Sequence, residues 1–369
     1  MMTDRIARID PYCIPADARA HPWWSHKPYV LVRVQTEEGL IGWGECHILN
    51  HREPALIAMA RALGDWLIGR PAGDIRGILN DALGAFGLQI PGAELYSAFA
   101  GIEIALWDIS GKRLNAPVYQ LLGGACHDTV PVYANIYSPH PQTPDAFAEM
   151  ALRQVADGYR AIKLYPFKRD SSIADGVAVM SAVRNAVGPD IGLAVDFWRH
   201  ASPARAIELA RALEPFDLSW IEDPFAPTDA ASYRYLRDTI KQPLLTGETL
   251  ATRRDFADLF AERAVDIVNP DICLSGLLEL QAIAAMAEPA MVTVSPHNAN
   301  SMALGTAAVV HAALGMSNLG LTEHFPLFDT ALDDLCSGRM QVINGEIHRP
   351  IAPGIGITFD ETAMAPFRV

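Results

Sequence analysis

Gly192-Leu193-Ala194-Val195-Asp196, then residues 202–213, then Leu218-Ser219-Trp220-Ile221-Glu222: the reading of this stretch decides the fold. Each outer run is short, apolar and closes on a carboxylate, whereas the middle segment repeats its apolar residues at helical spacing. A strand, a helix and a second strand in that order make a crossover unit, whose two strands run parallel. The same alternation extends both ways. Upstream runs lie at residues 130–136 and 161–165; downstream ones lie at 243–247, 265–268, 291–294 and 320–323. Helical stretches such as residues 277–286 separate them. Eight such strands predict an α/β fold closed into a barrel. An open doubly wound sheet is the alternative, but no GxGxxG follows the first strand of the series.

Residues 1–125 read differently, as a small α+β unit. Tyr29-Val30-Leu31-Val32-Arg33-Val34, a turn at Glu37-Glu38-Gly39 and Leu40-Ile41-Gly42-Trp43-Gly44 make a hairpin. Helices are predicted over residues 53–66 and 95–114, and a loop at 17–27 carries His21, Trp23, Trp24, His26 and Lys27. The barrel is expected to occupy residues 126–324, and the tail, 325–369, to return to the first unit.

The chain has 369 residues, with 43 acidic against 29 basic ones and a net charge of −14. That balance argues against a nucleic-acid partner, because phosphate contacts need clustered Lys and Arg. It is awkward for an anionic small substrate too, unless a metal reverses the local sign. Five scattered cysteines without a CxxC indicate neither a disulfide framework nor a cysteine zinc site. The run Cys46-His47-Ile48-Leu49-Asn50-His51 is read as a loop, not a zinc site. No signal-like stretch opens the sequence. Residues 302–316 form its longest nearly apolar run, short of the roughly 20 that cross a bilayer. A soluble cytoplasmic protein without a membrane partner is expected.

The polar residue at the end of each strand carries the functional reading. These are Lys163, Asp196, Glu222, Glu248, Asp271, His297 and Glu323, and from Asp196 onward they are spaced by 26, 26, 23, 26 and 26 residues. One strand–helix unit per step sets them around a single rim, the face where barrels of this kind do chemistry. Asp196, Glu222 and Glu248 on adjacent strands would repel by about 4 kcal/mol per pair at 4 Å and an effective dielectric near 20. They need a cation or raised pKa values, and an all-oxygen set suits Mg²⁺ better than Zn²⁺. Separate salt bridges to arginines are the plainer alternative. Asp271 bonded to one imidazole nitrogen of His297 would leave the other free to take a proton. Lys163 would hold or polarise a substrate carboxylate, and Glu323, if protonated, would hydrogen-bond an oxyanion.

With those residues in view, the chain resembles the enolase superfamily, in its mandelate racemase / muconate lactonizing enzyme-like branch. The marks are Ile104-Ala105-Leu106-Trp107-Asp108 with Gly111-Lys112, Leu121-Leu122-Gly123-Gly124, Asp196, Glu222-Asp223-Pro224, Gly247-Glu248-Thr249, Asp271, His297 and Glu323. The resemblance covers almost the whole length. It implies a modified TIM barrel, (β/α)7β, with an N-terminal α+β capping domain completed by the C-terminal tail. It also implies one Mg²⁺ on Asp196, Glu222 and Glu248, abstraction of a proton α to a substrate carboxylate, and a symmetric homo-oligomer. The enediolate that results would be stabilised by the metal and by Lys163.

Two departures narrow the reaction. Racemases of the branch carry a second lysine two residues after the first, where this chain has Tyr165. A phenol with pKa near 10 suits an acid or hydrogen-bond donor better than a base. Two residues after Asp196, where relatives have Asn or His, stands Trp198, which donates a hydrogen bond but cannot shuttle protons. One-base chemistry fits best: His297 removes the α-proton and a β-hydroxyl leaves. The expected activity is a lyase, dehydrating an aldonate or aldarate. Racemisation, epimerisation or lactone cycloisomerisation stay open, as does a non-catalytic sugar-acid-binding paralogue. His21, Trp24, Trp198 and Asn298 are expected to touch the substrate.

Overall fold

The structure is a computed structural model and describes residues 4–15, 28–87, 91–137, 142–168, 171–298, 301–330 and 333–369. His21 and Trp24, with the rest of the loop expected to select substrate, lie outside the described residues.

The N-terminal unit begins with β1 (Ile6–Ile14), β2 (Tyr29–Thr36) and β3 (Ile41–Cys46), an antiparallel sheet in that order. Gly39, at φ +87°, closes the turn between β2 and β3 by donating to the Thr36 carbonyl at 3.0 Å. Three helices follow: α1 (Glu53–Leu67), α2 (Ile75–Phe86) and α3 (Ala93–Leu114). The sequence reading lacked α2. Gly77 and Gly84 weaken its helical signal, and its hold on the domain comes from burying Ile75, Ile78 and Ala82 along one face. β3 lies so close on α3 that a Cβ at Gly42 or Gly44 would run into the Ala105 or Gly101 carbonyl. That contact explains why α3 is buried nearly all round, as a helix enclosed on several sides must be.

After a short α4 (Val118–Leu121) the alternation begins: β4 (Thr129–Asn135), α5 (Pro144–Ala156), β5 (Ala161–Leu164), α6 (Ile173–Val187), β6 (Gly192–Asp196), α7 (Pro203–Leu213) and β7 (Leu218–Glu222). It continues as α8 (Ala230–Thr239), β8 (Leu244–Thr246), α9 (Ala257–Ala261), β9 (Ile267–Val268), α10 (Ile272–Ala287), β10 (Thr293–Val294), α11 (Ala303–Ala313) and β11 (Thr322–His324). The strands pair in parallel from β4 to β10, and β11 pairs in parallel with β4. Backbone bonds join the remaining gap: Val294 N to Asn318 O at 2.9 Å, Gly320 N to Val294 O at 2.7 Å and Glu323 N to Pro296 O at 3.0 Å. All eight strands lie where the sequence placed them. Tyr133, Ala161, Ala194, Trp220 and Leu245 pack together inside the ring. Their neighbours Val132, Ile162, Val195 and Ile221 belong to the core under the helices, so the inward face follows the two-residue period of a strand.

The tail meets both units. β12 (Cys336–Ser337) pairs with β15 (Thr358–Phe359), and the hairpin of β13 (Val342–Ile343) and β14 (Glu346–His348) adds antiparallel to β4. Beyond it, the Phe359 ring lies 4.7 Å from that of Trp43. Glu361 pairs with Arg33 at 2.8 Å, and Val369 N donates to Pro11 O at 3.2 Å.

Candidate active site

The ends of the parallel strands converge, as the register of the sequence requires. Asp196 stands opposite Glu222 in the β6–β7 ladder. Lys163, on β5, is fully buried between carboxylates, its Nζ 2.6 Å from Glu222, 2.8 Å from Glu323 and 3.6 Å from Asp196. Glu222 also accepts from Trp220 Nε1 and Asn269 Nδ2, each at 3.1 Å. Glu248 follows Gly247, whose φ of +135° turns the chain just past β8. Its carboxylate accepts from Arg199 at 2.7 Å and meets His297 Nε2 at 2.9 Å. Arg199 also pairs with Asp223. It follows Trp198 in a two-residue left-handed stretch, φ +46° then +58°. Strained backbone of this kind gathers at functional sites. Arg199 therefore clamps two rim carboxylates, Asp223 and Glu248.

His297 is oriented by Asp271, Nδ1 to Oδ2 at 2.7 Å. The other oxygen of Asp271 accepts from Cys273 N at 2.8 Å and Leu274 N at 3.0 Å, capping the start of α10. With Nδ1 hydrogen-bonded to Asp271, Nε2 faces the mouth of the barrel, where Glu248 and Glu323 (3.1 Å) meet it. From the capping domain, His47 donates its backbone N–H to Cys273 O at 3.0 Å, and its ring lies 3.9 Å from Asp271.

Glu323 is an acceptor at every turn. Tyr133 donates to it at 3.1 Å, Asn135 at 2.8 Å and the Asn298 backbone at 3.1 Å, besides Lys163. Burial pushes its carboxyl up, but His297 and Lys163 more than offset this and hold it below its ordinary range. The protonated Glu323 expected as an oxyanion donor is thus not favoured by this arrangement. Tyr165 is different. Burial raises its phenol well above the ordinary value against the pull of Lys163, so it keeps its proton. Its oxygen accepts from Asn135 at 3.0 Å and its ring stacks 4.9 Å from Tyr137. Trp198 is 48% exposed, and its backbone N–H holds Asp196 at 2.7 Å. Asn298 is buried, and its amide donates to Thr306 on α11.

Charge is badly matched here. Asp196, Glu222, Asp223, Glu248, Asp271 and Glu323 are six buried or nearly buried carboxyls, facing the three cationic groups Lys163, Arg199 and His297. Burial raises Asp196 to about 6, with Lys163 opposing and Glu248 adding to it. Asp223 rises to about 7 from burial and Glu248, against Arg199, and Glu222 is raised as well, by burial first. Glu248 falls far below its ordinary value, because His297 and Arg199 outweigh its burial. His297 rises in return: burial lowers it, but Glu323 and Glu248 prevail. An excess of buried carboxylate oxygens is a donor set for a hard divalent cation. Among the described residues, Glu222, Glu248 and His297 bring one donor atom each within 4.8 Å of one another. Asp196 is not in that compact group, although it stands opposite Glu222 and is held by Lys163 at 3.6 Å and by the Trp198 amide at 2.7 Å. The loop at residues 46–51 is not in it either.

Two family profiles match the chain. "Mandelate racemase / muconate lactonizing enzyme, N-terminal domain" covers residues 14–123, and "Enolase C-terminal domain-like" covers 146–363. The chain belongs to the enolase superfamily. Within the superfamily it is 28% identical to D-gluconate dehydratase of Thermoproteus tenax, over 98% of this chain and 74% of that one. It is 31% identical to D-galactarolactone cycloisomerase of Agrobacterium fabrum, over 94% and 93%. The solved structure of 3,6-anhydro-D-galactonate cycloisomerase from Zobellia galactanivorans superposes with a TM-score of 0.89 at 28% identity, covering 99% of each chain. The superfamily architecture, an N-terminal cap on a C-terminal barrel, is the one described above.

Proposed function

We propose that the protein dehydrates a sugar acid, an aldonate or aldarate, by removing the proton α to its carboxylate and eliminating a β-hydroxyl. The observation that carries this reading is a one-sided base set. His297 and Asp271 form a complete dyad, while Tyr165 and Trp198, their rings 6.5 Å apart, stand at the positions where a second base is expected. Asp196, Glu222 and Glu248 would hold one Mg²⁺, whose charge would neutralise the substrate carboxylate and favour the enediolate over the starting acid.

The chain's own groups divide the remaining work. Lys163 donates to the carboxylate oxygen on which negative charge grows. His297 Nε2 takes the α-proton while Asp271 keeps Nδ1 protonated and the ring in place. Collapse of the enediolate breaks the C–O bond at the β-carbon, and the hydroxyl leaves as water. Its proton comes from the imidazolium on the same face, or from the Tyr165 phenol on the other. The enol formed then gains a proton at carbon and loses the one on its oxygen, giving the 2-keto acid. Before this cycle His297 must release the proton that Glu248 and Glu323 stabilise on it. Turning Glu248 away toward Asp196 and Glu222 removes one of those two carboxylates.

A second reading has support from the two relatives named as cycloisomerases. The same proton transfer followed by loss of a ring oxygen would open a lactone or anhydro sugar. The test is a panel of C5 and C6 acid sugars and their lactones with Mg²⁺, read as 2-keto product and as α-deuterium incorporation in D₂O. A 2-keto product from an open-chain acid supports dehydration. Product from a lactone alone selects cycloisomerisation, and deuterium exchange without product selects racemisation or epimerisation. The absence of both exchange and product across the panel refutes the catalytic reading.

A further inference from the structure

Two buried carboxylates of the capping domain take no part in the chemistry above, yet both end on barrel helices, α10 and α11. Glu45, on β3, accepts from Met302 N at 3.1 Å through one oxygen and from Gly305 N at 2.9 Å through the other. Those amides open α11, whose N-cap residue, Met302, has no side-chain oxygen with which to cap it. Glu103, on α3, accepts from Leu278 N at 2.8 Å and from Trp107 Nε1 at 3.1 Å, both through the same oxygen. Leu278 lies just past a break in α10, where Gly276 sits at φ +78° and ψ 173°. The run after that break begins as a new helix whose first amides lack partners within it. A Cβ at Gly276 would collide with the other Glu103 oxygen, so this position combines a left-handed backbone with no room for a side chain.

The two helices capped in this way are those that leave the dyad. α10 begins at Asp271, and α11 begins six residues after His297 in the sequence. Glu279, on α10 beyond the break, grips the backbone N–H of Arg253 at 2.6 Å and its guanidinium at 2.8 Å. It therefore also fixes the segment that follows Glu248. Carboxylates at helix N-termini are favoured by the exposed N–H groups and the helix dipole. Here the carboxylate is supplied by another domain, so the caps exist only while the capping domain is seated.

We propose that Glu45 and Glu103 are positioning residues, through which the seated capping domain sets the alignment of the His297–Asp271 pair. They act through α10 and α11 and touch no substrate. Burial raises the Glu103 carboxyl to about 7, with Leu278 N–H and Trp107 opposing. The charged groups facing it are Glu279 from α10 and Arg76 from α2. The inference rests on the dyad being the base, and the test is chosen so that it reports even if no substrate is turned over.

The variants are Glu45→Met, Glu103→Met, Glu45→Gln and Glu103→Gln in the full chain. Met keeps the length and volume of the side chain but accepts poorly. Gln at 103 can keep its oxygen toward Leu278 and Trp107, whereas Gln at 45 must turn an N–H₂ toward one of two donors. The first readout, independent of activity, is the NMR signal of the His297 Nδ1 proton and ring nitrogens. The expected result is a weakened or exchange-broadened Nδ1 signal in both Met variants, an intermediate one in Glu45→Gln and a near-native one in Glu103→Gln. The second readout is α-deuterium exchange on D-gluconate, D-xylonate and D-galactonate with Mg²⁺. A fall in kcat of about tenfold is expected in the Met variants with KM little changed, and rescue by Glu103→Gln. If the folded Met variants lose hydrogen-exchange protection at Leu278, Met302 and Gly305 while the His297 signal stays native, the caps serve stability alone and the proposal fails. Should a Met variant not fold, Glu45→Gln decides: a native His297 signal in it overturns the role of Glu45. The Glu103 half is then read from Glu103→Asp, whose shorter reach withdraws the acceptor.

Discussion

Asp271→Asn replaces one oxygen by an N–H₂ group and leaves everything else in place. In the native chain Oδ1 of Asp271 accepts from the Cys273 and Leu274 amides, and Oδ2 accepts a hydrogen bond from His297 Nδ1. An asparagine keeps its oxygen on the two amides, since two caps outweigh one bond, and its N–H₂ then faces Nδ1. Two donors cannot share that contact, so His297 must present a lone pair at Nδ1 and carry its proton on Nε2. Nε2 is the nitrogen aimed at the mouth, and there it would now be a donor instead of a base. Loss of a positioned general base lowers a rate by about 10²–10⁴-fold. That corresponds to about 3–5 kcal/mol of barrier. Stability should hardly change, because the caps of α10 survive. The assay is α-deuterium exchange on the acid sugar that turns over best, with a thermal melt of the same sample. Exchange within fivefold of the native rate, in a variant that melts normally, would refute the assignment of the base.

Removing the central cation should be harder on the fold. Lys163→Met leaves Glu222 and Glu323 buried without their shared ammonium, and breaking such a buried set costs about 3–5 kcal/mol; a melt lowered by only a degree would contradict it. Stability should also depend on pH in a definite direction. The folded-state pKa of Asp196 is raised, to about 6, so its contribution is complete below the ordinary aspartate pKa and is lost as pH rises through about 6. Mg²⁺ should relieve that loss, so the rise in Tm it produces should be larger at pH 8 than at pH 5, as melts with and without EDTA would show. Tyr165→Phe separates the two routes for the leaving group. If the phenol protonates the departing hydroxyl, 2-keto product should fall by about tenfold or more while α-exchange persists; an unchanged product rate assigns that proton to His297.

The strands and the polar residue at the end of each were legible because both obey short-range rules: apolar runs of strand length, and one strand–helix unit of nearly constant length per step. Their neighbours were legible in principle. A strand repeats its inward face every two residues, so Lys163, Glu222 and Asp271 imply Tyr165, Trp220 and Asn269, as Glu323 on its own strand implies Leu321. On β4 the same period joins Tyr133 to Asn135, and both donate to Glu323. Only Tyr165 of these was singled out, and for a different reason. Glu248 shows where the rule ends, since Gly247 turns the chain before it. The partners of Arg199, the break at Gly276 and the caps from Glu45 and Glu103 depend on contacts between segments far apart in the chain. No local pattern announces them.

The path of the tail has a consequence for how the molecule is made. On a ribosome the sheet of β1, β2 and β3 emerges before the tail that meets it. α1 and α3 cover it soon afterwards, but its remaining partners come from far along the chain: Phe359 on Trp43, Glu361 on Arg33 and Val369 on Pro11. The Trp43 side of the sheet therefore stays incompletely covered until residues 358–369 have been made. Pairings between distant segments are slow, and unfinished ones are prone to aggregate. In a cell that side of the sheet would need shelter until then.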